Sequence, residues 1–171
     1  MSFEQLCGKI STESVRNVAN HWNDVRGSRL MPAWSDINPS AIKPQLPFIW
    51  SWKFDIETGN FIGRLAGERI VHAHGGSLRG QDANTFFKYR GGDAMVERMR
   101  RVVRGPCYFL GEGAVFKHTR RIAIGERVIL PLSTDGNTAD SVFGVTSYDL
   151  PDLTSHADDL PSEETGEFID L

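Results

Sequence analysis

Between Phe48 and Asp55 large rings alternate with other residues: Phe48, Trp50, Trp52 and Phe54 are interleaved with Ile49, Ser51, Lys53 and Asp55. A period of two places the four rings on one face of a strand. Each such ring carries on the order of 150 to 250 Å² of surface, so that face has to be buried, against helices or around a ligand. The turn residues Glu57-Thr58-Gly59-Asn60 follow. Phe61 to Leu65 can then fold back as the second arm of a hairpin.

The remaining elements follow from period and punctuation. Ser11 to Arg26 reads as an amphipathic helix, with Thr12 as cap, Val15, Val18, Trp22 and Val25 on one face, and Gly27 as stop. Pro32, Pro39, Pro44 and Pro47 make the next segment a connector with one short helical turn near Ser40 to Lys43. Glu68 to His74 and Ala83 to Lys88 read as short helices. Asp93 to Arg104 reads as a longer one, with Asp93 as cap and Gly105-Pro106 as its end. Cys107 to Val115, Arg120 to Leu132 and Ser141 to Tyr148 read as strands, the last two joined through Asp135-Gly136. This order predicts an α+β fold: a five-stranded antiparallel sheet with helices on one face, plus an N-terminal amphipathic helix.

At 171 residues the chain has room for one domain with a substantial core. No run reaches the 18 or so apolar residues of a membrane span, and the first residues lack a basic then apolar leader, which points to the cytoplasm. Cys7 and Cys107 are the only cysteines, and with no C-x-x-C pair and no secretion signal neither a disulfide framework nor a cysteine zinc site is expected. Seven of the 22 acids fall in 150–171, which has no Lys or Arg, leaving 15 acids against 19 bases in the rest. The predicted organisation is therefore a lead at 1–11, a domain at 12–149, and an acidic, disordered tail at 150–171.

No motif announces catalysis. His72-Ala73-His74 sets two imidazoles at i and i+2, which diverge by roughly 200° on a helix, so a shared metal is not expected. The glycine pairs Gly75-Gly76 and Gly91-Gly92 lie outside any phosphate-loop pattern. Arg98, Arg100, Arg101 and Arg104, with Arg90 nearby, could meet phosphate, nucleic acid or an acidic peptide. With a modest positive surplus and no interleaved aromatics, nucleic acid is not the expected partner. Glu97 and the chain's own acidic tail are the alternative counter-charge.

Several segments in order resemble the PAS (Per-Arnt-Sim) family, and more closely its single-domain bacterial branch of the alphaproteobacterial type. They are Trp22 with Arg26-Gly27, Pro32-Ala33, Asp36-Ile37-Asn38-Pro39, Leu46-Pro47-Phe48-Ile49, Phe61 to Gly67, Gly76 to Gly80, and Leu130 to Gly136. The resemblance spans Ala19 to Asp149 and excludes the tail. It implies a sensory or regulatory module, a cup between sheet and short helices that holds a small molecule or docks another domain, acting through a regulatory protein partner. Flavin photochemistry would need a cysteine in the insertion, where there is none. Haem would need His72, His74 or His118, since Asp93 to Arg104 holds no histidine.

The expected function is non-enzymatic sensing, with the cofactor unknown. The candidate pocket lining is Trp50, Trp52, Phe61, Leu65, Phe86, Tyr89, Met95, Met99 and Phe109, with Arg64 or His72 as polar anchors. Trp22 on the N-terminal helix, and Arg98, Arg101 and Arg104, are the candidate partner surface, the former for a homodimer. Two rival readings stand: a closed-core interaction adaptor, and a small lyase or isomerase, which would need a carboxylate such as Asp55, Glu68, Asp82 or Glu112 turned into an apolar cup.

Overall fold

A computed structural model describes residues 2–90, 92–118, 121–150 and 160–171. In chain order the helices are α1 (Ser2–Lys9), α2 (Glu13–Arg26), α3 (Glu68–His74), α4 (Ala83–Phe87) and α5 (Asp93–Arg104). The strands are β1 (Ile49–Asp55), β2 (Asn60–Ala66), β3 (Cys107–His118), β4 (Arg121–Leu132), β5 (Ser141–Asp149) and β6 (Glu164–Asp170). Among the described residues these strands form one sheet in the order β2-β1-β5-β4-β3-β6, with neighbouring strands antiparallel. The α+β class, the split of the sheet by the helical insertion and the N-terminal helix match the sequence reading.

Three features differ from it. The sheet has a sixth strand: Glu164–Asp170, inside the segment expected to be disordered, pairs with β3 from Cys107↔Asp170 to Gly113↔Glu164. Two of its three acids are neutralised where they land, because Glu164 meets Arg98 and Arg127, and Glu167 meets Lys9. Residues 151–159 of that tail lie outside the described residues. The lead at 1–11 contains α1, whose Leu6 is fully buried. The proline-rich connector carries a longer 3-10 segment than the single turn expected, at Pro39–Phe48, kinked at Ile42.

Helices cover both faces of the sheet. Tyr108 meets Trp22 of α2 edge-on with centroids 5.4 Å apart, whereas its neighbour Phe109 lies under the guanidinium of Arg98 in α5 at 4.9 Å. Consecutive residues of a strand point to opposite sides, so α2 and α5 pack on opposite faces. On the α2 face, Val128, Leu130, Leu132, Phe143 and Val145 are fully buried, and Trp34 packs on Phe143. On the α5 face, Trp50, Trp52, Phe61, Phe109 and Ile129 are buried beneath α3 to α5.

The N-terminal face is anchored by long-range polar contacts as well. Glu126 of β4, 4% exposed, accepts hydrogen bonds from Ser11 N at 2.8 Å, Ser11 Oγ at 2.9 Å and Thr12 N at 2.8 Å. The expected Thr12 side-chain cap is absent. A carboxylate from across the sheet instead takes up the amides at the start of α2, where a helix favours negative charge. The Trp22 indole donates to the Pro131 carbonyl at 2.8 Å. Trp22 is 0% exposed. It is thus core and not the dimer surface expected, because the stripe that had to be covered is covered by the second face of its own sheet.

Candidate functional site

The aromatic run does line the α5 face, but it fills much of it. Trp50 lies across Gly144 of β5, where a methyl group would overlap the indole. Trp52 packs on Phe86 and Phe87 at 5.6 and 5.5 Å. Phe54 packs on Phe61 at 4.9 Å. These rings close the space under α4, so the opening that remains is displaced towards β3 and β4.

There a cleft of about 300 Å³ lies between α4, the first turns of α5, strands β3 and β4, and the residues leading into β6. That is the lower end of small-ligand sites. Its apolar wall is Phe87, Met95, Val115 and Phe116. Its polar groups are His74, Arg90, Arg98, Lys117, Arg127, Glu163 and Glu164. Beneath it a void of about 10 Å³ touches Trp50, Trp52, Leu78 and Thr146, room for roughly one water molecule.

Arg127 organises the floor. It is 5% exposed and held on several sides: Nε donates to Thr146 Oγ1 at 3.2 Å, Nη1 to Met95 Sδ at 3.0 Å, and Nη2 to the Val115 carbonyl. Thr146 Oγ1 also accepts from the Trp50 indole at 2.9 Å, tying the floor to β1. Burial pulls the Arg127 pKa below the ordinary guanidinium range, and Glu164 beside it opposes that shift. Glu164 Oε2 meets Arg127 Nη1 at 3.2 Å and Arg98 Nη1 at 2.6 Å. Glu164 Oε1 is buried with no hydrogen-bond partner among the described residues. It lies over Gly111, where a methyl group would collide with it.

Of the expected lining, the structure brings only Met95 to the cleft, and Trp50 and Trp52 to the void beneath. Phe61, Phe86, Met99 and Phe109 are buried core, and Leu65 is half-buried. Tyr89 is 82% exposed and lines nothing. His72 is exposed; its neighbour His74 is the one inside, edge-on to Phe86, Phe87 and Phe116. Arg64 lies on the α2 face, stacked 4.7 Å from Trp34 and donating to Ser51 and Ser141, because it alternates with Gly63, which pairs with Trp52 on the α5 face.

The expected partner arginines are largely engaged within the chain: Arg98 with Glu164, and Arg101 stacked 3.9 Å from Phe168. Arg104 remains exposed at the helix end. The side chain of His118 lies outside the described residues. Arg127, Phe116 and Glu164 were missed, although Glu126-Arg127 inside an otherwise apolar strand was a signal, since buried charges require partners.

The lyase carboxylates lie elsewhere. Asp55 accepts turn amides from Glu57 and Thr58, Asp82 caps α4 through Thr85 N, and Glu68 and Glu112 are exposed. Glu164 does point inward, but one of its oxygens is shared by two guanidiniums and the other is pressed on Gly111, so neither faces a substrate. Among the described residues no cluster of three or more His, Cys, Asp or Glu could hold a metal ion, and no helix is long and apolar enough to cross a membrane.

The described residues thus form an antiparallel sheet sheathed by short helices, with a half-open cleft under the helical insertion. The PAS domain family matches residues 10–147, well over half of the sequence, and the chain belongs to that family. Both α1 and β6 fall outside the matched residues. No curated protein matches the chain.

Proposed function

We infer that this PAS domain is a non-enzymatic sensor that takes a small ligand into the arginine-floored cleft and passes the change to a regulatory partner. PAS domains are sensory or regulatory modules, which supplies the class of function. The ligand reading is carried by one observation: a cleft of about 300 Å³ whose floor is a buried, fully oriented arginine. Groups oriented in advance favour binding, because little ordering remains to be done when a ligand arrives. A closed-core adaptor would have no such space. The reading extends to a cytoplasmic protein of the single-domain bacterial type, acting through association.

Native mass spectrometry of the full chain, purified without denaturation, tests this reading. The expected result is a retained small molecule in the wild type that is lost in Ala94→Trp, a substitution on the exposed side of α5 that fills the mouth of the cleft. An Ala94→Trp protein that retains the same molecule overturns the assignment of the site.

A further inference from the structure

The cleft is cationic before anything enters it: Arg90, Arg98, Lys117 and Arg127 face Glu163 and Glu164. Both acids come from the segment that begins β6, beyond the family-matched residues. Of the two, Glu164 makes the ion pairs, with Arg98 and Arg127. Its hold is incomplete, since Oε1 is buried and has no partner among the described residues, and an unmade hydrogen bond on a buried carboxylate weakens the arrangement that contains it. Arg127 does not depend on Glu164 for its position, because Thr146, Met95 and Val115 orient it independently. The apolar wall of Phe87, Met95 and Phe116 lies beside the same guanidinium.

We propose that this is a binding site for a small organic anion with an apolar body, a carboxylate or phosphate monoester, and that Glu164 is its built-in stand-in. Resting on the reading of the cleft as the ligand site, the inference adds both the chemical class and the output. An entering anion takes Arg127 and Arg98 from Glu164. Because Glu164 is the first residue of β6, its release frees the leading end of that strand from β3, where Glu164 pairs with Gly113 and Gly166 with Gly111. Lys9–Glu167 and the packing of Phe168 on Phe109 retain the far end. The ligand shifts β6 only by its preference for the released state, so charge on the ligand is essential.

NMR of the full chain, observing the Met95 methyl group and amide hydrogen exchange, tests this with benzoate as probe, benzamide as its neutral isostere, and phenyl phosphate as the phosphate arm. Benzoate is expected to shift Met95, to bind at least about tenfold tighter than benzamide, and to speed exchange at residues 164–167 about tenfold while β4 and β5 stay protected. Glu164→Gln is expected to bind benzoate about tenfold more tightly, and Arg98→Gln, at a partly exposed position, about tenfold more weakly. A tighter fit of phenyl phosphate assigns the phosphate class, and of benzoate the carboxylate class. A Met95 shift with unchanged exchange at 164–167 overturns displacement while the cleft reading stands. No Met95 shift with benzoate, phenyl phosphate or inorganic phosphate, in wild type and Glu164→Gln alike, overturns both.

Discussion

Two buried carboxylates, one on each face of the sheet, are held in opposite ways. Glu126 receives three hydrogen bonds from Ser11 and Thr12 and sits among fully packed residues, joining α2 to β4. Glu164 shares one oxygen between Arg98 and Arg127, leaves the other without a partner among the described residues, and borders an open cleft. A saturated charge fixes structure, whereas a partly satisfied one beside free space can be exchanged. The N-terminal face is therefore the rigid side of this domain, and the α5 face its responsive side.

That contrast is broken most directly at Trp22. Trp22→Ala removes a fully buried indole and its bond to Pro131, and is expected to cost about 3 to 5 kcal/mol in urea or guanidinium unfolding. A loss below about 1 kcal/mol would show that the N-terminal face is loosely packed. Glu126→Ala comes next: three donors lose a charged acceptor, two of them at the start of α2, for an expected loss of about 3 kcal/mol in the same measurement.

Tyr108, on the rigid face, offers a pH test. Burial pushes its phenol up to about 12, with Arg26 opposing and Cys7 adding to the rise. A raised phenol favours the neutral form in the fold, so its contribution is fully present below about pH 10 and is lost as pH climbs through about 12. Absorbance titration at the phenolate band should show a late-ionising tyrosine that Tyr108→Phe removes; a difference between wild type and Tyr108→Phe that titrates with a midpoint near about 10 would indicate that α2 admits water. The smallest loss is expected for Glu164→Ala, about 2 kcal/mol, because buried Arg127 loses its charge partner but keeps its bonds to Thr146, Met95 and Val115, while partly exposed Arg98 can recover water. Equal losses for Glu126→Ala and Glu164→Ala would erase the distinction between the faces.

Much of this architecture was legible in the sequence because it rests on local periods. The alternation around Trp50 and Trp52 gave β1, the Val15, Val18 and Trp22 spacing gave α2, and Asp135-Gly136 marked the β4–β5 turn. In that turn Asp135 accepts the amides of Asn137 and Thr138 and the Ser133 hydroxyl, which hold its carboxyl down to about 2. What escaped the sequence reading depends on partners remote along the chain. β6 looked too acidic to fold, because the arginines that neutralise it lie on α5 and β4. Trp22 looked like a surface for another molecule, because periodicity shows that a stripe is covered without showing by what. The cleft was expected under the indoles, but their volume, added to that of Phe86 and Phe87, occupies that space. Arg64 stands three residues from Phe61 on β2, so alternation itself turns it to the α2 face, away from the cleft.

The Glu126 clamp also bears on how the polypeptide reaches this state. The amides it holds lie 115 and 114 positions earlier in the chain, so the amphipathic stripe of α2 is complete long before its anchor has been made. Closing so long a loop is entropically slow and favours late docking. Until β4 is in place, Val15, Val18 and Trp22 have no sheet to lie on, and nascent chains are at their most vulnerable to self-association during that interval.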